Sequence, residues 1–269
     1  MATTICLLNQ KGGVGKTSTC YHLAGTLARH GYRVLLVDND PQASLTQGFF
    51  GPEGLRAIPE SASIAAAYDP DDEPIARSLI QPTGLDGISI VPGSPTLARY
   101  NMLPPDMWDR SQEGLRVVLG DVTGDYDLVL IDNPPNIHLL AAASMVASDA
   151  IVIPLQPEDF GAQGLGPVRT AIAAVRAGAN PGIRLAGYLV TMFDRRLGIH
   201  LAYESKLREM YGGDVFANVF PRAKDFVEAV SSRQPISHYR PKSAAAKAAK
   251  AVADELLERG VTDRNRRVA

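Results

Sequence analysis

The sequence has few of the features that mark secreted, membrane-spanning or cluster-carrying proteins. Only two of its 269 residues are cysteine, Cys6 and Cys20, and they are not spaced as a metal-binding pair. The sequence has no basic, apolar signal segment and no apolar run of about 18 residues. Export and membrane spanning are therefore not expected. The two cysteines are expected to be core residues in a reducing cytoplasm.

The composition is that of an ordinary globular protein. Hydrophobic residues make up 45% of the chain and charged residues 21%, which excludes global disorder. Nothing that resembles a linker divides the sequence. We therefore expect a single domain over residues 1–269, with a flexible tail at residues 260–269.

Charge is distributed unevenly along the chain. The net charge is −2, but residues 195–269 carry 15 Lys and Arg against 9 Asp and Glu, a net charge of +6. The first 194 residues therefore carry a net charge of −8. A basic C-terminal third indicates either an anionic partner or a solvated charged face, and charge alone does not separate the two.

A glycine-rich segment at residues 9–18 follows the apolar run Ile5 to Leu8 and precedes a helix-forming stretch that starts near Lys16. A strand, a glycine-rich turn and a helix N-terminus form a phosphate cradle, because backbone N–H groups and the helix dipole face one point. There Lys16 would contact the β- and γ-phosphates, and the Thr17 hydroxyl would bind magnesium. The strict phosphate-loop pattern needs glycine at position 10, where this chain has Gln10.

The alternation of apolar runs with helical patterns predicts an α/β fold. We expect a doubly wound, mostly parallel sheet of the P-loop NTPase type, with helices on both faces. Strands are predicted at residues 33–37, 88–91, 128–131, 150–154 and 185–191, and helices at residues 16–29, 95–103, 162–177 and 242–259. Residues 51–85 are interpreted as short helices in a surface insertion, and Trp108 as a packing residue.

Carboxylates follow two of the predicted strands. Asp38 and Asp40 come after the strand at 33–37, and Asp132 comes after the strand at 128–131. Ligands bind at this carboxyl edge in open α/β sheets. We therefore expect Asp132 to hold magnesium through water, in the Walker B role, with Asp40 close to the same metal.

Residues 11–17, Lys-Gly-Gly-Val-Gly-Lys-Thr, resemble the deviant Walker A loop of the ParA/MinD group of dimeric ATPases. Segments that resemble the ParA branch, the Soj-type partitioning ATPases, follow at residues 38–42, 131–135, 191–196 and 220–229. The resemblance covers residues 3 to about 258 and is weakest between about 50 and 125.

The resemblance implies an ATPase of weak intrinsic activity that uses ATP and Mg²⁺. It places the nucleotide phosphates on one run of loop residues, namely Lys11, Gly12, Gly13, Val14, Gly15, Lys16, Thr17 and Ser18. Lys11 would cross a dimer interface to the partner subunit's nucleotide. Asp40 would prepare the attacking water, with Asp38 as the alternative for that role. Lys11, Lys16 and Asp40 are thus the catalytic candidates.

The resemblance also implies that adenine is held by the segment from Pro221 to Glu228. The candidate contacts there are Pro221, Arg222 and Glu228. The usual family run after proline is Arg-Asn-Val, whereas this chain has Arg222-Ala223-Lys224. The sequence departs from the pattern of the family that it resembles at that point.

The function implied by the resemblance is the ATP-dependent partitioning of chromosome or plasmid DNA. In this hypothesis an ATP-bound homodimer binds double-stranded DNA on the nucleoid, in the cytoplasm, without sequence preference. A ParB-type partner then releases it by stimulating hydrolysis. Arg196 and Arg222 fall where the family has DNA-contacting arginines, and the other candidates are Lys224, Lys242, Lys247 and Lys250.

Three other functions are weighed against this one. A ParA-like ATPase that positions a protein cargo, such as a carboxysome or a chemoreceptor cluster, would share the same motifs. A MinD-like membrane-cycling ATPase calls for a C-terminal amphipathic helix with bulky apolar residues, which residues 261–269 lack. A metabolic P-loop enzyme would need a second substrate pocket, of which the sequence gives no sign.

Overall fold

The computed structural model describes residues 1–69, 75–103, 108, 111–157 and 162–261, without the side chains of 162–164. Its centre is a seven-stranded sheet in the order β3-β4-β2-β5-β1-β6-β7. All neighbouring strands are parallel except β3, which pairs antiparallel with β4 at one edge. The predicted doubly wound α/β fold is confirmed.

The strands are mostly short, and two neighbouring strands in the centre of the sheet, at residues 34–38 and 128–132, are wholly apolar until a final aspartate. They are β1 Thr3–Leu7, β2 Val34–Asp38, β3 Gln81–Pro82, β4 Ile88–Val91, β5 Leu128–Asp132, β6 Ala150–Leu155 and β7 Arg184–Val190. Each predicted strand lies within two residues of an observed one. The short edge strand β3 was not predicted.

Helices cover both faces of the sheet. They are α1 Lys16–Arg29, α2 Ser44–Ala57, α3 Leu97–Asn101, α4 Ser111–Gly120, α5 Leu139–Val146, α6 Ala162–Ala177, α7 Gly198–Tyr211, α8 Lys224–Ser231, α9 Ile236–Tyr239 and α10 Ala244–Glu258. The predicted helices at 16–29 and 162–177 have the observed bounds. The prediction for 242–259 is correct to two residues.

Successive residues of a strand point to opposite faces of the sheet, and this alternation divides the core into two layers. On β2, Val34 and Leu36 pack in the layer that contains α1, whereas Leu35 and Val37 pack in the layer that contains α5. The layer of α1 also contains α10. Strands covered on both faces are expected to be mainly apolar, as β2 and β5 are before their final aspartates.

The expectation of a surface insertion at residues 51–85 is wrong for one part of it. The 3₁₀ turn Ile64–Tyr68 is buried and packs against α4 in the layer of α5. The run Ile-Ala-Ala-Ala-Tyr is apolar and starts after Ser63, whose hydroxyl accepts a hydrogen bond from the Ala65 N–H at 3.3 Å. Short alanine side chains let this turn approach α4 closely, so it is part of the core.

Two smaller predictions are confirmed by the structure. Cys6 and Cys20 are free thiols buried in the core, as expected. Trp108 packs against the core and donates a hydrogen bond from Nε1 to the Leu103 carbonyl at 2.8 Å, which confirms its packing role. The acidic run from Asp69 extends to Glu73, but residues 70–73 lie outside the described residues, as does the expected tail beyond 261. Among the described helices, none is long and apolar enough to span a bilayer.

Candidate active site

The loop between β1 and α1 has the backbone shape of an anion cradle. Gly13 and Gly15 have φ angles of 77° and 83°, a conformation that side-chain-bearing residues rarely adopt. Gly15 is the N-cap of α1 and has no side chain with which to cap the helix, and the first turn contains no acidic residue. The positive end of the helix dipole is therefore left for a bound anion.

Side chains from neighbouring strand ends hold this loop by its carbonyl groups. The Thr191 hydroxyl donates to the Val14 carbonyl at 2.7 Å, and the Gln156 amide donates to the Gly13 carbonyl at 2.8 Å. Asn9 donates to the Pro154 carbonyl at 2.7 Å and accepts from the Lys11 N–H at 3.0 Å. These bonds fix the loop from the side of β6 and β7.

The two lysines of the loop lie in opposite environments. Lys16 is only 6% exposed, and its Nζ donates to the carbonyl groups of Asn9 at 3.1 Å and Lys11 at 3.2 Å. Burial lowers the pKa of Lys16, and the charges of Asp132 and Asp40 oppose that shift. Lys11, in contrast, is exposed.

The sheet brings the three predicted carboxylates together at its carboxyl edge. Asp38 pairs in register with Asp132 on the adjacent strand. Asp38 is fully buried, and its Oδ2 accepts hydrogen bonds from the Thr46 N–H at 2.7 Å and hydroxyl at 2.6 Å. Burial raises the pKa of Asp38 to about 6. Asp40 is 9% exposed, and its Oδ1 accepts from the Gln42 N–H at 2.9 Å.

Asp132 is the most unusual of these groups. Neither of its carboxyl oxygens has a hydrogen bond of ordinary geometry within the described residues, although both are buried. Burial, and then the charge of Asp38, raise the pKa of Asp132 well above its usual range, and the nearby Thr17 hydroxyl and Lys16 act in the opposite direction. A buried carboxylate with unused lone pairs beside a hydroxyl fits a divalent cation, so these residues suit a bound Mg²⁺.

A cavity of about 220 Å³ opens beside the loop and has mostly apolar walls. It is lined by Gly15, Ser18, Thr19, Thr191, Met192, Phe220, Pro221, Arg222, Ala223, Phe226 and Val227. The predicted base contacts Pro221 and Arg222 are thus adjacent to the phosphate loop. Glu228, also predicted as a contact, does not line this cavity and instead forms ion pairs with Arg240 at 2.9 Å and Lys224 at 3.5 Å.

Comparison with known proteins assigns the chain to a family. A family model described as an AAA domain matches residues 2–185. The chain is 37% identical to the chromosome-partitioning ATPase Soj of Thermus thermophilus, over 95% of this chain and 95% of that protein. It is 35% identical to the chromosome partitioning protein ParA of Myxococcus xanthus, over 98% of this chain and 90% of that protein. The chain belongs to the ParA/Soj family of ATPases.

A solved structure with the same fold is that of cobyrinic acid a,c-diamide synthase from Mycobacterium smegmatis with bound ADP and magnesium. It is 28% identical to this ParA/Soj chain, covers 98% of this chain and 97% of that chain, and has a TM-score of 0.80. Identity to the two partitioning proteins is higher over a comparable share of the sequence. The match shows that this overall fold accommodates a nucleotide and magnesium in that synthase.

Two of the predicted DNA-contacting arginines of this ParA/Soj ATPase lie on neighbouring loops. The Phe193 N–H donates to the Phe220 carbonyl at 3.0 Å, and the Arg222 N–H donates to the Phe193 carbonyl at 2.9 Å. Arg196 extends from the same loop as Phe193. Its guanidinium donates to both carboxyl oxygens of Asp194, at 2.9 and 2.7 Å, and these bonds lower the pKa of Asp194.

The four predicted lysines are all exposed. Lys224 is on α8, where it pairs with Glu228, and Lys250 pairs with Asp254 at 2.5 Å on α10. Lys242 and Lys247 lie at the start of α10 and on its first turns. For these two residues the described part of the chain shows no ion pair.

Sequence reasoning missed the apolar walls of the cavity. Phe226 and Val227 are on α8, and Val227 is 69% exposed although it is a large aliphatic residue. The adjacent apolar pair Phe226-Val227, which begins five residues after Pro221, is the sequence signal that could have indicated these walls.

Proposed function

We propose that this chain is a DNA-partitioning ATPase. It binds ATP and Mg²⁺, forms an ATP-bound homodimer that holds double-stranded DNA without sequence preference, and leaves DNA when a ParB-type partner stimulates hydrolysis. The observation that carries this proposal is that buried Lys16 and the buried Asp132 carboxylate lie together beside the glycine loop. Arg222, one of the exposed cations, lines the cavity beside that loop.

The site divides between a phosphate end and a base end. The loop from Lys11 to Ser18 receives the phosphates, with Lys16 as the buried counter-charge. The cavity between the loop and Phe226 receives the adenine, and its apolar walls suit a planar base. Its size and position beside the loop support this assignment.

Magnesium would be held near Thr17, Asp132 and Asp40. When bound, Mg²⁺ neutralises negative charge on the β- and γ-phosphates. Lys16 orients the phosphates, and the N-terminus of α1 stabilises their charge. Asp132 contributes a buried carboxylate whose two oxygens have no hydrogen bond of ordinary geometry among the described residues.

Asp40 is the better candidate to position the attacking water. Asp38 is fully buried, and Thr46 donates two hydrogen bonds to one of its oxygens. Asp40 is 9% exposed, and its Oδ1 accepts one hydrogen bond, from the Gln42 N–H. A water-positioning carboxylate must reach the solvent side of the phosphate, which favours Asp40.

Dimerisation is proposed to place Lys11 on the partner subunit's nucleotide. Lys11 is exposed, and a Cβ at neighbouring Gly13 would have no atom within 4 Å. A second subunit can therefore approach the loop closely. Because Lys11 acts from one subunit on the other, ATP binding, dimerisation and hydrolysis are coupled.

DNA binding is assigned to the basic C-terminal third, which carries a net charge of +6. Arg196, Arg222, Lys224 and the lysines of α10 are exposed and offer contacts to phosphate groups of any sequence. Two subunits side by side double the number of phosphates that are neutralised, so affinity depends on ATP. We expect the protein to be located on the nucleoid in the cytoplasm, without membrane association.

A mobility-shift titration on a random duplex tests the DNA assignment. With ATP, Arg196→Ala and Arg222→Ala should each weaken DNA binding. The slope of log K against log salt concentration should become less negative by about 2, because a dimer loses two phosphate contacts and each contributes about 0.9. Arg116→Ala is the matched control, because Arg116 is also an exposed arginine in an ion pair, but on the acidic part of the chain. ATPase activity is measured in parallel. Parent-like binding by both variants at several salt concentrations would refute the DNA assignment.

A further inference from the structure

Four buried polar side chains form a continuous hydrogen-bonded chain beneath the sheet edge. The Tyr68 hydroxyl donates to Asn39 Oδ1 at 2.8 Å, and Asn39 Nδ2 donates to Ser144 Oγ at 2.9 Å. Ser144 Oγ donates to Asn133 Oδ1 at 2.6 Å, and Asn133 Nδ2 donates to the Leu7 carbonyl at 3.1 Å. Tyr68, Asn39, Ser144 and Asn133 are called the buried polar chain below.

The buried polar chain crosses the ends of three adjacent strands. Asn39 lies between Asp38 and Asp40 at the end of β2, and Asn133 directly follows Asp132 at the end of β5. The Leu7 carbonyl is at the end of β1, where the phosphate loop begins. The buried polar chain therefore connects the ends of β2, β5 and β1, where Asp40, Asp132 and the phosphate loop lie.

Because successive residues of a strand point to opposite faces, the aspartates at the strand ends lie on one face of the sheet and the asparagines on the other. Asp38 and Asp132 point to the layer of α1, with the phosphate loop, whereas Asn39 and Asn133 point to the layer of α5. Ser144 and Tyr68 supply the links from α5 and from the turn at residues 64–68. The buried polar chain thus supports the catalytic edge from the face that ATP does not touch.

The amide groups of the chain are satisfied. Besides its bond to Ser144, Asn39 Nδ2 donates to the Leu140 carbonyl at 2.9 Å, and Asn133 Nδ2 is also 3.5 Å from the Ile131 carbonyl. All four residues are fully buried. A satisfied polar network in the interior rigidifies its surroundings, whereas the same volume filled with apolar groups would pack about as stably. Its specific contribution is therefore geometry.

We propose that the buried polar chain positions Asp40 and Asp132 for ATP hydrolysis. The proposal rests on the proposed function, because those two carboxylates are the groups that it places. It assigns a task to Tyr68, which lies in the segment where the resemblance to the family is weakest. Its members are positioning residues, since they act through the strand ends and do not touch the nucleotide.

Two isosteric comparisons isolate the hydrogen bonds from the packing. Tyr68→Phe removes only the hydroxyl. Ser144→Thr and Ser144→Val add nearly the same bulk, but only the threonine keeps the donor. Tyr21→Phe is the matched control, because the Tyr21 hydroxyl is also buried and donates to a carbonyl, that of Gly48 at 3.1 Å, outside the chain.

The measurements are kcat and KM for ATP, together with the thermal unfolding of each unliganded variant. We expect kcat to fall about threefold in Tyr68→Phe and about tenfold in Ser144→Val relative to Ser144→Thr, because small misplacements of catalytic groups cost this much or more. KM should stay within about twofold, since the phosphate loop and the cavity are unchanged. Tyr21→Phe should match the parent in kcat even where it lowers the melting temperature as much as Tyr68→Phe does.

Asp40→Ala, assayed beside these variants, distinguishes a failure of the positioning proposal from a failure of the proposed function. If it loses turnover while Tyr68→Phe and Ser144→Val hydrolyse ATP like the parent, the positioning proposal is overturned and the proposed function stands. If Asp40→Ala itself keeps turnover, both are overturned. Equal losses of kcat in Tyr21→Phe and Tyr68→Phe would also overturn the proposal, because they would reflect stability alone. If Ser144→Val does not fold, Tyr68→Phe against Tyr21→Phe decides.

Discussion

The same strand ends carry two sets of polar side chains that differ in charge and in how well they are satisfied. Toward α1 lie Lys16, Asp38 and Asp132, ionisable groups whose pKa values are shifted by burial. Within the described residues, Asp38 Oδ1 and both Asp132 oxygens have no hydrogen bond of ordinary geometry. Toward α5 lie Asn39 and Asn133, whose amides are neutral and fully hydrogen-bonded. Buried ionisable groups with shifted pKa values thus mark the side of the strand ends that binds a ligand. Hydrogen-bonded neutral amides mark the side that supports the strand ends.

The largest effect is expected at the buried lysine. Lys16→Ala should weaken ATP binding at least about 100-fold, because each hydrogen bond from a charged group contributes about 1.5–3 kcal/mol. Titration with a fluorescent ATP analogue measures this. Lys206→Ala, a substitution of an exposed lysine on α7, should leave affinity unchanged. A loss smaller than about tenfold in Lys16→Ala would contradict the role of the α1 side as the ligand side.

The exposed lysine of the same loop should show a different defect. Lys11→Ala should keep ATP bound to the monomer but weaken ATP-dependent dimerisation at least about tenfold, since it removes a charge that acts across the interface. Sedimentation with a nonhydrolysable ATP analogue measures the dimer. An undiminished dimer with full ATPase activity would refute the role in trans.

The charged side of the comparison could be predicted from the sequence because its signals are local. Glycine spacing at residues 12–15 and aspartates directly after apolar runs indicate a phosphate loop and a carboxylate edge. The neutral side could not be predicted. Tyr68 meets Asn39 across 29 residues, and Ser144 is a single hydroxyl inside the apolar helix α5. Such contacts depend on how the layers pack, which no local pattern encodes.

The fold, like the site, could be predicted where the signal is local and could not be predicted where it depends on tertiary packing. Strands and helices with strong periodicity were predicted to within about two residues, as is usual for long periodic segments. The turn Ile64–Tyr68 was misjudged, because five apolar residues among prolines and acids resemble a surface insertion until α4 is placed against them. Glu228 was predicted as a base contact but does not line the cavity, because it pairs with Lys224 one turn away on α8 and with Arg240 just after α9.

A smaller effect should appear in stability. Asp38→Asn should raise the free energy of unfolding at neutral pH by about 2 kcal/mol, because burial has raised the pKa of Asp38 to about 6 and ionising it in the folded state is costly. Denaturant unfolding of the unliganded protein measures this change. Asn39→Asp, which adds a charge on the satisfied side, should destabilise the protein. If both Asp38→Asn and Asn39→Asp stabilised the protein, the proposed difference between the side toward α1 and the side toward α5 would be contradicted.

The smallest effect concerns His22, a neutral group in the layer of α1. Burial lowers the pKa of His22 to about 3, and its Nδ1 accepts a hydrogen bond from the Ile236 N–H at 3.1 Å. Below pH 6.5 the unfolded chain binds a proton that the folded chain does not, so stability should fall as pH falls from 6.5 toward 3. At pH 5.5 this loss should be about 1 kcal/mol.

His22→Asn keeps an acceptor near Ile236 but cannot titrate, so its loss of stability between pH 7.5 and 5.5 should be smaller than that of the parent by this amount. Urea unfolding at the two pH values gives the comparison. An unchanged pH dependence would show that His22 is protonated in the folded state, and that charge is tolerated in this layer away from the ligand site.

In this mechanism the carboxylate of Asp40, two residues after the end of β2, positions the attacking water, while neighbouring groups bind the nucleotide or support the site. The most direct test of this role is single-turnover ATP hydrolysis by Asp40→Ala, with ATP affinity measured on the same preparation. The account predicts parent-like affinity within about threefold and hydrolysis reduced at least about 100-fold. Near-parent hydrolysis at saturating ATP would contradict it.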